Sequence, residues 1–303
     1  MIVRTTVRRT EVLISAWRRV LFTVLYAAAF VLLYKQGYAA VAIPVAVPAM
    51  LGTALSILLG FRTNSAYDRW WEARKIWGAI VNDSRTFTRQ VLSLIVVPDG
   101  TEKSVVAGLQ KELVYRQIAW NYALNRALRR QDPFPEIEPL LPPNEVAALR
   151  GQDNRPNALL QTQALRIQDA HRMGCLDRIY YLPLDDTLTR LCDSMGRCER
   201  IKSTVFPAHY SFFVARMVWL FFLLLPAGLV DHLGWVTVPV SFFVGAIFWL
   251  MEAVGRDLQD PFEDRATDTP MTAICRTIEI NLRQQLGETE LPEKLQPVNG
   301  VLM

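Results

Sequence analysis

The sequence lacks the short motifs on which most enzymes depend. It contains only three histidines among 303 residues, His171, His209 and His232, and they lie far apart along the chain. No glycine-rich phosphate loop, HExxH zinc motif or GxSxG nucleophile motif occurs in it. Phosphoryl transfer, zinc-dependent hydrolysis and serine-type acyl transfer are therefore disfavoured, and we predict that the protein is not an enzyme.

Cysteine and net charge are also scarce. The four cysteines, Cys175, Cys192, Cys198 and Cys275, show no zinc-site spacing and lie in charged, helix-like sequence. We interpret them as reduced thiols of a cytosolic region. The formal net charge is only +4. Because nucleic-acid-binding proteins carry a stronger basic excess, no nucleic-acid partner is predicted.

Charged residues are missing from four long stretches. These are 15 residues from Val20 to Tyr34, 24 from Tyr38 to Phe61, 14 from Met217 to Val230 and 19 from Leu233 to Met251. A helix needs about 20 residues to cross the hydrocarbon core of a membrane. The two shorter stretches would need uncharged flanks or snorkelling side chains. The pattern predicts four transmembrane helices rather than buried helices of a soluble protein.

Very short links join the stretches into two hairpins, which places both chain termini on one side of the membrane. The first 19 residues contain five arginines and one acidic residue, Glu11. This bias predicts a cytoplasmic N-terminus and no cleaved signal peptide. The predicted organisation is a cytosolic segment 1–19, a first hairpin 20–61, a cytosolic helical region 62–210, a second hairpin 211–251 and a cytosolic C-terminal region 252–303.

Helical periodicity runs through the cytosolic regions, and no stretch alternates convincingly with a period of two. The second span is expected to continue as one helix to about Pro98, with Gly60 and Gly78 as places for a bend. Further helices are predicted over 101–130, after a cap at Asn144, over 156–180, over 184–203 and from Met271 to Gly287. The predicted fold is an all-α membrane protein.

The second span carries a candidate pore lining. Thr53, Ile57 and Phe61 follow one another at intervals of four residues and share one helix face. Such a stripe commonly packs against a neighbouring helix; in an oligomer with a central axis it would instead form three stacked rings. Since the apolar stretches contain no aspartate, glutamate, lysine, arginine or histidine, coupled transport is disfavoured. A passive pore or a scaffold is favoured.

Several motifs resemble those of one family. The segment from Gly60 to Arg74, GFRTNSAYDRWWEAR, resembles the signature of bacterial bestrophin homologues. The segments LLLPAGLVD at 223–231, DPF at 260–262 and CRTIEINL at 275–282 also match, in the order expected along the chain.

The resemblance implies a homopentameric channel in a bacterial inner membrane, with one central pore and a cytosolic vestibule. It places the three rings of an apolar neck on Thr53, Ile57 and Phe61, and permeant chloride or similar small anions are the family default. The neck departs from the family pattern at Thr53, where a larger apolar residue is usual. The alternatives are a monovalent cation channel of the same architecture and a non-conducting membrane scaffold for a cytosolic partner. The implied partners are other copies of the chain, membrane lipid and monovalent ions.

The resemblance also implies a second constriction near the cytosolic exit. The residue before Pro207 occupies that place, which makes Phe206 the candidate aperture. The alternative is that Phe206 packs in the core at the start of a helix.

A calcium site of the kind found in animal bestrophins is not expected. The acidic run after residue 256 is interrupted by Arg265, and a cation repels Ca²⁺ from ligands such as Asp264 and Asp268. We expect a solvated acidic loop, docked on the arginine-rich N-terminus, and no cofactor. Two further carboxylates, Asp68 and Glu72, either face the vestibule or pair with Arg69 and Arg74.

Overall fold

Helices make up the regular structure of the protein. The computed structural model describes residues 9–98, 100–204, 208–298 and 300–302, with side chains described from residue 21 onwards, apart from those of residues 208 and 209. Within these ranges the β interactions are limited to one isolated bridge between Val298 and Val301. The prediction of an all-α fold is confirmed. The helices are α1 Arg9–Lys35, α2 Ala46–Leu94, α3 Lys103–Leu128, α4 Phe134–Ile137, α5 Pro143–Arg150, α6 Arg155–Arg172, α7 Arg178–Ser203, α8 Ala208–Leu233, α9 Thr237–Leu258 and α10 Met271–Gln285.

The chain forms two compact units. We call one the apolar unit; it consists of the described parts of Arg4–Trp70 and Val205–Asp260. We call the other the polar unit; it consists of the described parts of Trp71–Thr204 and Pro261–Met303. Helix α2 contributes residues to both.

In the apolar unit, α1, α8 and α9 pack against one another. Residues 39–94 and 210–258 contain helices long and apolar enough to cross a membrane, and 21–35 form a shorter apolar helix. The backbone of α1 begins at Arg9, well before the uncharged stretch at Val20. Helices α8 and α9 pack against each other, as the second predicted hairpin requires. The first hairpin and the passage of both hairpins through a membrane stay predictions.

Polar contacts hold the ends of these helices where the chain reverses. Tyr34 donates a hydrogen bond to Asp231 over 2.5 Å. The ammonium of Lys35 lies 5.2 Å from the ring centre of Trp235, a cation–π distance. The last turn of α1 thus contacts the last turn of α8 and the residues that directly follow it.

The polar unit is built around α3, which packs against α6 and α10. Arg116 of α3 is 2% exposed and donates to Glu112, Glu145 and Gln163. A buried guanidinium is tolerated only when its donors find partners. This network therefore lets a charged residue occupy the centre of a helical core and join α3, α5 and α6.

Helix α2 is continuous through Gly60 and Gly78. It contains 49 residues, which at 1.5 Å per residue corresponds to a length of about 74 Å. The prediction of one long helix is confirmed, and neither glycine interrupts its helical hydrogen bonding.

Three predicted helix boundaries were wrong. The helix expected over 156–180 ends at Arg172, because Gly174 adopts a left-handed φ of +73°. The next helix, α7, starts at Arg178 rather than residue 184, since the side chain of Asp177 accepts from the amide of Ile179. Asn144 does not cap α5: it lies inside the helix, which begins at Pro143 without a side-chain cap.

Gly228 permits a close approach in the apolar unit. A Cβ atom at Gly228 of α8 would lie 2.4 Å from Cγ of Pro48 in α2. We expect Gly228→Ala to destabilise the protein by about 1–3 kcal/mol, the usual range for overpacking. Thermal unfolding of the detergent-solubilised protein measures this loss.

Gly108→Ala is the matched control for Gly228→Ala. A Cβ at Gly108, within α3, meets no atom within 4 Å, so the change should raise stability by about 0.5–1 kcal/mol. Equal unfolding temperatures for the two variants would contradict the close approach at Pro48.

Candidate functional site

The predicted neck residues share an exposed face of α2. Ile57 is 56% exposed and Phe61 67% exposed, and Thr53 is also exposed. The opposite face of the same helix is buried through Leu55 and Leu59. Those two pack with apolar residues of α8, namely Val214, Val218, Phe221 and Leu225. One face of α2 therefore anchors the helix within the chain and leaves the stripe uncovered.

Thr53 does not present a free hydroxyl. Its Oγ1 donates to the carbonyl of Ala49 over 3.0 Å, and Ser56 donates to the carbonyl of Gly52 over 2.8 Å. Back-bonding to the preceding turn is a common way for these side chains to satisfy their proton inside a helix. Since its proton is already used, the Thr53 hydroxyl can only accept further hydrogen bonds, which makes this position less polar than the residue type suggests.

Polar residues follow the apolar stripe along α2. Asn64, Ser65 and Asp68 are exposed and succeed Phe61 at helical spacing. Within the described ranges, the Asp68 carboxylate has no ion-pair partner. Arg69, one of the partners considered for it from the sequence, donates from its guanidinium to the backbone carbonyl of Gln259 over 3.0 Å.

Glu72 behaves differently from Asp68. It pairs with Lys75 on the next turn over 2.8 Å, not with Arg69 or Arg74 as predicted. The hydrogen bond from Lys75 lowers the pKa of the Glu72 carboxyl. Of the two carboxylates, Asp68 is thus the one that has no ion-pair partner among the described residues.

The predicted aperture residue, Phe206, lies outside the described residues. Helix α8 begins two residues later, at Ala208. The assignment of Phe206 stays a prediction.

The acidic loop after α9 is tied to the polar unit by its own carboxylates. Glu263 accepts from Lys202 over 2.5 Å, and Asp264 lies 2.9 Å from the guanidinium of Arg129. The hydrogen bond from Lys202 lowers the pKa of Glu263. The arginine-rich N-terminus, which we expected to hold this loop, lies outside the described side chains.

Asp268 is buried, so the expectation of a solvated loop was wrong at this residue. It is 1% exposed, and its Oδ2 accepts from the amides of Glu263 and Arg265 over 2.6 and 3.1 Å. Burial raises the pKa of its carboxyl. The carboxylates of Glu263, Asp264 and Asp268 are each engaged by protein donors, an arrangement that closes a turn.

The described residues contain no cluster of three or more histidine, cysteine, aspartate or glutamate side chains able to hold a metal. His171 contacts the carbonyl of Leu176 over 2.8 Å. Three of the four cysteines are buried free thiols, and burial raises the pKa of Cys198 to about 12. A protonated, buried thiol is a poor metal ligand and a poor nucleophile.

The sequence interpretation missed one feature of the apolar unit. Arg62 and Glu252, which mark the ends of two uncharged stretches, form a buried ion pair with Nη1 and Oε1 3.5 Å apart. Their position as boundary residues was the signal available in the sequence. No local sequence pattern indicates that Arg62 and Glu252 contact each other.

Comparison with known proteins gives consistent matches. A family model described as bacterial/fungal bestrophin protein matches residues 2–284. A voltage-dependent anion channel-forming protein of Ralstonia nicotianae is 35% identical over 245 residues, covering 81% of this chain and 78% of its own length. The similarly named YneE protein of Escherichia coli K12 is 32% identical over 248 residues, covering 82% and 79%.

A solved structure matches along most of the chain. The crystal structure of a bacterial bestrophin homologue from Klebsiella pneumoniae superposes with a TM-score of 0.83 at 31% identity. The match covers 90% of this chain and 98% of the other.

Calcium should not stabilise the acidic loop. Because Glu263 and Asp268 already accept hydrogen bonds from the protein and Asp264 forms an ion pair with Arg129, adding 1 mM Ca²⁺, about a thousandfold above the Kd of a sensor-type site, should leave the unfolding temperature unchanged. Asp268→Ala should lower stability by about 1.5–3 kcal/mol, since two hydrogen bonds to a carboxylate are lost. A rise in unfolding temperature with Ca²⁺ but not with Mg²⁺, abolished in Asp268→Ala, would contradict this assignment.

Proposed function

The chain belongs to the bacterial and fungal bestrophin family, and from this premise we propose that it forms a homopentameric channel for chloride and similar small anions. The relatives named above as anion channel-forming proteins support this proposal, and their names describe channels rather than enzymes. The proposed location is the bacterial inner membrane, with four spans per subunit and both termini in the cytoplasm. The polar unit would then form the wall of a cytosolic vestibule.

The observation that carries the proposal is the uncovered stripe on α2. Three successive side chains, Thr53, Ile57 and Phe61, project from a helix whose other face is buried. Five copies around an axis would turn this stripe into three stacked rings. A narrow apolar throat of this kind can gate by losing its water. We assign Phe206 to a second constriction, at the cytosolic exit.

A second candidate function differs from the first in the charge of the permeant ion. An apolar neck selects by size and dehydration, and carries no charge of its own. Asp68, two turns beyond Phe61, would add five uncompensated negative charges close to the throat and raise the local cation concentration. This observation favours a monovalent cation channel of the same architecture as the alternative function.

Substitutions in the neck test the throat assignment. Thr53→Ile should lower single-channel conductance, because the larger side chain narrows the first ring and makes it fully apolar. Ile57→Ala should raise conductance by about twofold or more, since it widens the middle apolar ring. Single-channel recording in planar bilayers measures both. Unchanged currents in both variants would show that another surface lines the pore.

The reversal potential in a KCl gradient distinguishes the two candidate functions. For an anion channel we expect a value near the chloride equilibrium potential, and for the alternative a value near that of potassium. Asp68→Asn should move the potential towards the chloride value because it removes the negative ring. Glu72→Gln is the matched control: its charge is already paired with Lys75, so it should move the potential less. Purified protein that carries no current would indicate a membrane scaffold.

A further inference from the structure

The buried ion pair between Arg62 and Glu252 lies directly beside the proposed neck. Arg62 follows Phe61, the last neck residue, and its side chain is 3% exposed. The side chain of Glu252, on α9, is 9% exposed. Its second oxygen lies 3.5 Å from the guanidinium of Arg256, one turn further along α9. These charges sit where the apolar stretches of α2 and α9 end.

Stability alone is a weak reason for such a pair. Removing two charges from water is costly, and replacing a buried ion pair by apolar residues of similar volume is often neutral or stabilising. The contact here is long, at 3.5 Å, and Arg62 Nε has no hydrogen-bond partner within the described part of the chain. Because the hydrogen-bonding groups of this buried pair are incompletely satisfied, the pair is better explained by a specific helix geometry that it enforces.

That geometry is the alignment of α2 with α9. Three contacts succeed one another in the same direction along both helices: Arg62 with Glu252, Thr63 with Gly255, and Arg69 with the carbonyl of Gln259. A Cβ at Gly255 would lie 3.4 Å from Oγ1 of Thr63, so the two helices approach each other closely there. The Arg69 hydrogen bond measures 3.0 Å. The two helix segments therefore run parallel, with a polar contact at each end.

This alignment fixes how α2 is rotated about its own axis. Successive residues of a helix differ by about 100° in direction, so the anchored side of Arg62 determines where the adjacent Phe61 points. A side-chain tip lies about 5–6 Å from the helix axis, so a rotation of about 20° moves it by about 2 Å. In a ring of five phenylalanines, a displacement of that size decides between a wet and a dry throat.

We propose that Arg62 and Glu252 are positioning residues for the neck: their buried ion pair holds α2 in the rotation at which Phe61 projects towards the pore axis. The inference rests on the proposed channel function and adds the element that sets the width of the throat. Neither residue touches the permeant ion in this assignment.

The test uses double variants, since removing one partner leaves an uncompensated buried charge and is strongly destabilising. Arg62→Met/Glu252→Leu replaces the pair by apolar side chains of similar volume, and Arg62→Gln/Glu252→Gln replaces it by neutral polar ones. Arg150→Gln/Glu138→Gln is the control, because it removes an ion pair with exposed side chains from the polar unit. Each variant is purified as the oligomer, and its unfolding temperature, single-channel conductance and open probability are measured.

The double variants at residues 62 and 252 should assemble and show conductance or open probability changed by about twofold or more, while the control stays at the wild-type value. In a Phe61→Ala background the same double variants should cause a clearly smaller change, because the largest of the side chains that they displace is gone. This non-additivity separates positioning through Phe61 from a direct effect of the charges.

Three results would overturn the positioning role. The first is wild-type conductance and open probability in both doubles, with only the unfolding temperature altered. The second is an equal change in the Phe61→Ala background. The third is failure of both doubles to assemble, which would make the pair a requirement for folding. If the unmodified protein carries no current, both the channel function and the positioning role are wrong. If the wild-type currents are normal and the double variants conduct like the wild type, only the positioning role is wrong.

Discussion

The constraint on which the rest of the structure depends is the division of helix α2 into a buried face and an uncovered one. A backbone surrounded by apolar groups must satisfy its own hydrogen bonds, and an unbroken helix does so. Leu55 and Leu59 then attach this helix to α8. Only because one face is anchored in this way can the other face remain free to line a shared axis.

Close packing around α2 follows from that division. Gly52 and Gly228 remove side chains at the points where α2 approaches Phe221 and where α8 approaches Pro48. Small residues let helices approach closely where no hydrophobic effect drives them together. The hydroxyls of Thr53 and Ser56 are satisfied within the helix itself. The segment that would form the neck is therefore rigid, closely packed on one side and nearly free of exposed polar hydrogen on the other.

The charged residues at the ends of the apolar stretches and in the acidic loop mostly have specific partners. The uncharged stretches end next to charged residues that have specific partners, such as Asp231 with Tyr34 and Arg62 with Glu252. The acidic loop of the polar unit is similar, because Asp268 accepts two backbone hydrogen bonds that close a turn. Asp68 is the exception, and an exposed carboxylate without an ion-pair partner in the described chain acts through its field. In the proposed channel, Asp68 is therefore the residue at which ion selectivity is tested.

Local patterns in the sequence determined the all-α fold, the continuity of α2, the stripe of Thr53, Ile57 and Phe61, and the family, because helical periodicity and contiguous motifs are short-range properties. They could not determine where helices end when a glycine turn intervenes, as at Gly174, since such turns depend on single residues. The pairing of Arg62 with Glu252, the burial of Asp268 and the contact between Gly228 and Pro48 join positions distant in sequence. Only the tertiary structure decides such contacts, because they arise from the packing of whole helices and leave no periodic trace in the chain.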